Sequence, residues 1–93
     1  MPQPLTDDAI QTALSSLPGW SRDGDAIAKT FTFGNFKEAF AFMTRVAFEA
    51  ERLGHHPEWI NVYSRVTVRL STHDAGDRVT ELDIQLAEAI EAL

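Results

Sequence analysis

One long helical pattern sits in the middle of this chain, between two pairs of short alternating segments, and that arrangement leaves few folds open. From Asn35, a good N-cap, to about Leu53, the apolar residues Phe36, Ala39, Phe40, Phe42, Met43, Val46, Ala47, Ala50 and Leu53 share one arc of a helical wheel. Lys37, Glu38, Arg45, Glu49 and Arg52 lie opposite. Before this helix, Trp20 to Arg22 and Ala26 to Phe33 flank Asp23-Gly24-Asp25, and Asp-Gly is a preferred hairpin turn. After it, Trp59 to Tyr63 and Val66 to Thr72 flank Ser64-Arg65, a weaker turn signal. Strands joined this closely pair antiparallel, because a parallel crossover needs about a dozen residues or more. Two further helices complete the pattern. Thr6 caps the first, with Asp7 and Asp8 at its positive end, Leu5 and Ile10 placed as a staple, and Pro18-Gly19 as its stop. Thr80-Glu81-Leu82-Asp83, a capping box with Asp in the Glu position, opens the last; its Leu82, Leu86, Ala89, Ile90 and Leu93 share a face. The order α-β-β-α-β-β-α predicts an α+β fold, an antiparallel sheet with helices on one face, in a single domain over residues 1–93.

Composition narrows the function classes. The chain has 93 residues, enough for one core without staples, and no cysteine, which excludes disulfides, zinc–thiolate sites and a thiol nucleophile. A net charge of −6 gives no electrostatic footprint for a nucleic-acid backbone. No apolar run approaches membrane-spanning length, and the opening MPQPLTDD lacks the basic and apolar regions of a signal peptide, so a cytoplasmic location is expected. Phe48 stands alone on the polar side of the long helix, either as a contact to another subunit or as one scattered exposed apolar residue.

The chemistry concentrates in GHHPEW, residues 54–59. Gly54 suits a left-handed helix terminus, and Pro57 keeps His56 out of the α region, so His55 and His56 are expected in pinned, extended backbone with side chains diverging. Pairing across Ser64-Arg65 sets residues 71–73 opposite residues 56–58 and brings His73 to the same sheet edge as Trp59. Three readings follow. The histidines are ordinary surface or half-buried groups; or they hold a metal, for which adjacent diverging imidazoles are poorly arranged; or they move protons on a flat heterocycle against Trp59. Glu51, one turn before the pair, is either a solvated helix-end carboxylate or part of that edge.

At these residues the chain resembles the pterin-4a-carbinolamine dehydratases. The matching positions are Glu51, His55-His56-Pro57, Trp59, Asn61-Val62-Tyr63, Leu70-Ser71-Thr72-His73, Asp83 and Leu86-Ala87, with Phe42 to Ala47 in the long helix. The similarity runs from Leu5 to the end. The resemblance implies a four-stranded antiparallel sheet with three helices on one face. It also implies loss of water from 4a-hydroxytetrahydropterin to give quinonoid dihydropterin, recycling the pterin of aromatic amino-acid hydroxylases, with no metal or organic cofactor. It makes His55 and His73 the acid–base pair and His56 mainly a positioning group. Glu51, Pro57, Trp59, Ser71 and Thr72 become substrate-binding residues. Asp83 carries two explanations, since the capping box alone accounts for it. One position departs: members often have Asp or Asn immediately before the histidine pair, where this chain has Gly54. The family also implies a homodimer or homotetramer, with no direct nucleic-acid or membrane contact. The alternative it carries is a non-catalytic binding module, a dimerisation cofactor or assembly factor.

Overall fold

The computed structural model describes residues 2–93; Met1, the first residue of the expected domain, lies outside the described residues. The elements are α1 (Asp7–Leu14), β1 (Ser21–Asp23), β2 (Ala26–Thr32), α2 (Phe36–Leu53), β3 (Glu58–Val62), β4 (Arg65–Leu70), a 3-10 turn (His73–Ala75) and α3 (Glu81–Glu91). The order is the expected one. The strands form one antiparallel sheet in the order β1-β2-β4-β3, so the two hairpins join through β2 and β4. Ile27, Val66, Val68 and Leu70 point to one face and are sealed from solvent. Against them pack Ile10 of α1, Ala39, Phe42, Val46 and Ala50 of α2, and Ile84, Leu86, Ala87 and Ile90 of α3. On the other face stand Thr30, exposed, and Thr67, half-buried, with their hydroxyls 2.9 Å apart.

The helix starts follow the sequence. Thr6 Oγ1 accepts the Ala9 amide, and Asn35 Oδ1 accepts the Glu38 amide. The turns differ in detail. Asp23 pairs with Ala26, so the first turn is Gly24-Asp25, with the positive φ of 61° at its first position rather than at an Asp-Gly second position. Val62 pairs with Arg65, so the second turn is Tyr63-Ser64, one residue earlier than Ser64-Arg65. It has no glycine. Instead Tyr63 takes a left-handed φ of 52°, and Asn61 Nδ2 donates to the carbonyls of Tyr63 and Arg65, at 3.1 and 2.9 Å. The shifted register pairs Glu58 with Arg69, where the expected turn sets residue 58 level with residue 71.

Two apolar faces are also drawn differently. On α2 the buried arc is narrower than the apolar one: Phe36 and Phe40 are 46% and 57% exposed and Ala47 is exposed too, leaving an uncovered flank beside the core stripe. On α3 the buried face is centred on Asp83, Leu86, Ala87 and Ile90, while Leu93 is exposed. Of the expected face, Leu86 and Ile90 are buried, Leu82 and Ala89 half-buried and Leu93 exposed; the burial of Asp83 is what apolar periodicity cannot see.

Truncating Leu70 or Leu86 to Ala removes a fully buried side chain and is expected to cost about 2–5 kcal/mol in denaturant unfolding. Thr30→Ala, on the open face, is expected to stay within about 0.5 kcal/mol. Equal effects at the two kinds of position would contradict this core.

Candidate active site

The end of α2 builds the site. Gly54 takes the left-handed conformation, at φ 64° and ψ 30°. Its amide donates to Glu51 O at 3.2 Å, and the His55 amide donates back to Ala50 O at 3.0 Å. This pair of bonds is a Schellman closure, which glycine makes at least steric cost. It fixes where His55 leaves the helix. Residues 55–57 then run without regular structure into β3, and the imidazoles diverge as expected. His55 turns inward and is 8% exposed, while the His56 side chain is 63% exposed.

His55 turns inward onto a carboxylate. Its Nε2 lies 2.5 Å from Asp83 Oδ1, and Asp83 is fully buried. A buried carboxylate is costly unless its oxygens are supplied with donors. Here Oδ2 accepts the Thr80 amide at 2.8 Å and the Thr72 hydroxyl at 2.9 Å. The Thr80 hydroxyl lies 2.7 Å from the Thr72 hydroxyl and accepts the Leu82 amide. With the Thr72 proton given to Asp83, the Thr80 proton goes to Thr72, and the chain of donors runs one way. No buried side-chain nitrogen or oxygen among the described residues lacks a partner. As an acceptor, Asp83 takes the proton of His55 Nε2. Nδ1 is then the lone-pair nitrogen of the neutral ring, and no described residue bonds it.

His73 arrives from the other side, on the 3-10 turn that follows β4. Its side chain is 91% exposed, and Nδ1 lies 3.0 Å from Asp77 Oδ1. The hydrogen bond to Asp77, with the charges of Asp77 and Asp74 behind it, raises the His73 pKa above the ordinary imidazole value. His56 pairs with Glu51, Nε2 to Oε2, at 2.5 Å.

A single open pocket collects most of these groups. His55, His56, His73, Ser71 and Thr72 line it, together with Gly54, Asp74, Leu82 and Pro2. Three residues named from the sequence do not. Glu51 reaches the pocket only through His56. Trp59 pairs in register with Val68 and packs half-buried against the core, because strand alternation turns it to the helix-covered face. Pro57, between them, is outside the lining as well. Thr72 lines the pocket, but its hydroxyl points inward to Asp83, so it supports the wall rather than offering that group to a ligand. A second groove, between α2 and the end of α3, is lined by Phe33, Phe42, Arg45 and Leu93 and holds no histidine.

Sequence reasoning did not assign the two carboxylates behind the histidines. Asp83 was visible as an unusual capping box. That box is present, with the Asp83 side chain on the Thr80 amide, and the same residue also holds His55. Asp77 gave no signal beyond being four residues from His73 in a loop.

Comparison with known proteins gives the chain's relatives. A profile of the family described as "Pterin 4 alpha carbinolamine dehydratase" matches residues 3–93. A relative from Opitutus terrae, provisionally named a pterin-4-alpha-carbinolamine dehydratase, is 57% identical over 93 residues, covering 100% of this chain and 96% of its own. One from Nitrobacter winogradskyi with the same provisional name is 57% identical over 95 residues, covering 100% and 93%. The crystal structure of a transcriptional coactivator/pterin dehydratase from Brucella melitensis superposes with a TM-score of 0.91 at 45% identity, covering 96% of each chain. A pterin dehydratase-like protein identified as a RuBisCO assembly factor in the alpha-carboxysome superposes with a TM-score of 0.66 at 25% identity, covering 80% of this chain and 87% of that one.

Asp83→Ala leaves His55 Nε2 and the Thr80 amide without an acceptor and is expected to destabilise the fold by about 2–4 kcal/mol. Asp83→Asn keeps the shape and the cap, but its amide can donate to His55 Nε2 and so reverse the tautomer. It is expected to fold with a modest loss of Tm and to lower kcat by about 10²–10⁴-fold. Wild-type kcat in a folded Asp83→Asn protein would contradict the orienting role.

Proposed function

The chain belongs to the pterin 4 alpha carbinolamine dehydratase family, and from that premise we propose that it is an enzyme that dehydrates 4a-hydroxytetrahydropterin to quinonoid dihydropterin by histidine acid–base catalysis. The observation that carries the reading is the placement of His55 and His73 on one pocket, reached from different elements and each backed by a carboxylate. The reaction needs two proton movements. The C4a hydroxyl takes a proton and leaves as water when the C–O bond breaks, and a ring nitrogen gives one up. His73 is suited to deliver the proton, since Asp77 and Asp74 favour its protonated form and keep it loaded. His55, with Nε2 on Asp83, leaves Nδ1 as the nitrogen that can accept the ring proton. His56, fixed by Glu51, and Ser71 position the flat ring. Thr72 acts through Asp83. Pro57 and Trp59 serve the site indirectly, by fixing the strand that carries the histidine pair.

The protein is further proposed to act in the cytoplasm and to recycle the pterin used by an aromatic amino-acid hydroxylase. None of its helices among the described residues is long and apolar enough to cross a membrane. A second reading, a non-catalytic assembly factor, is supported by the likeness to the RuBisCO assembly factor. Assaying decay of a synthetic 4a-hydroxytetrahydropterin separates the two: acceleration by micromolar protein is expected, and a rate equal to the buffer rate would leave the assembly reading.

His55→Ala and His73→Ala are each expected to lower kcat, and together to bring the rate close to the uncatalysed one. A general acid–base contribution is typically about 10²–10⁴-fold. His56→Ala is expected mainly to raise KM. Near-full kcat in a folded double variant would remove His55 and His73 from the mechanism.

Self-association is expected as well. Phe48 is 71% exposed, Phe36 and Phe40 line the open flank of α2, and the edge strand β3 leaves Ile60 and Val62 62% and 54% exposed. These are apolar surfaces of the kind that subunit contacts cover. Sedimentation is expected to give a dimer or tetramer at micromolar concentration, and a monomer alone would contradict it.

A further inference from the structure

His73 presents a problem that His55 does not. Its ring is almost wholly in solvent, with no packing to hold it. A free imidazole samples several rotamers and both tautomers, and either freedom spoils a proton transfer that needs one nitrogen at one place. Its one hydrogen-bond partner among the described residues is Asp77. Asp77 is itself held in an unusual way. The loop turns through two successive left-handed residues, Gly76 at φ 76° and Asp77 at φ 61°. The reversal lets the Asp77 amide donate to Thr72 O at 3.0 Å and the Thr72 amide donate to Arg78 O at 2.8 Å. Backbone at that φ favours glycine, with Asp and Asn the best tolerated alternatives. The backbone therefore does not call for a carboxylate at residue 77. The contact to His73 does.

Resting on the reading of the pocket as a pterin dehydratase site, we infer that Asp77 is the positioning residue of His73: its carboxylate accepts the Nδ1 proton and leaves Nε2 as the ring nitrogen presented to substrate. The same contact favours the imidazolium, as the raised pKa shows, so that His73 keeps its proton to a higher pH and can give it to the leaving hydroxyl. The other titratable groups around His73 are Asp74 on its own loop and, lining the same pocket from the segment after α2, His55 and His56, with Glu51 behind His56. Asp74 acts on His73 by charge alone and does not hold the ring.

The test is ¹⁵N and ¹H NMR titration of the full chain, followed by kinetics, for wild type, Asp77→Gly and Asp77→Asn. Both variants suit a left-handed backbone, and circular dichroism checks the fold. In wild type the neutral His73 ring is expected in the Nδ1–H tautomer, with a midpoint above that of an unperturbed histidine. Asp77→Gly is expected to lose both features. Asp77→Asn keeps an acceptor and is expected to hold the tautomer while the midpoint falls. In the assay both variants should lower kcat roughly two- to fivefold, the scale of an exposed charge pair, with KM little changed and the alkaline limb of the pH profile moved to lower pH. An unchanged tautomer and midpoint in Asp77→Gly would overturn the assignment, whatever the activity. If the NMR changes appear as expected but the wild type does not dehydrate the pterin, the positioning contact stands and the dehydratase reading falls.

Discussion

The site depends on one buried carboxylate. Asp83 has no solvent exposure and would be unstable there alone, so the chain surrounds it with donors from three places: the N-terminus of α3, Thr72 two residues past β4, and the segment after α2. Those are the three elements that must meet for the pocket to exist. The capping box begins α3 at Thr80 and fixes the carboxylate relative to the helix axis. Thr72 ties the end of β4 to the same oxygen, and so sets where His73 starts. His55 takes the other oxygen. Folding and site assembly therefore share an interaction: the contact that supplies Asp83 Oδ1 is the one that aims His55.

The three histidines are each matched to a carboxylate, but in different surroundings. His55 with Asp83 is buried, and its orientation comes from a network that cannot relax without cost. His56 with Glu51 and His73 with Asp77 are exposed, and pairs of that kind are screened and individually weak. This grading fits a division of labour. In the proposed mechanism, the ring that would receive a proton from substrate is fixed by the protein interior. The rings proposed to position substrate and to deliver a proton, His56 and His73, sit at the rim, where a ligand and water can reach them.

The sequence made some of this legible and hid the rest for physical reasons. The elements were readable because α2 and the two hairpins carry strong periodicities, and Thr6, Asn35 and Thr80 are good caps. Gly54 and Pro57 announced a pinned segment, and the divergence of His55 from His56 followed from extended backbone. The second turn was misplaced by one residue because it is closed by the side chain of Asn61 rather than by a glycine. On α3 the expected Leu86 and Ile90 are buried, but the same face also buries Asp83, a charged residue that apolar periodicity passes over. Strand pairing and the resemblance put Trp59 at the pocket edge, whereas the register with Val68 turns its side chain to the core. The partnership of Asp83 with His55 spans 28 residues, and no local pattern encodes it.

The most direct test of the central claim is a crystal structure of the protein with an unreactive dihydropterin bound. The account predicts the ring in the pocket between His55 and His73, with His55 Nδ1 and His73 Nε2 facing its edge and His55 Nε2 still on Asp83. A ring bound in the groove between α2 and the end of α3, or one that leaves His55 Nδ1 facing away from it, would contradict the account.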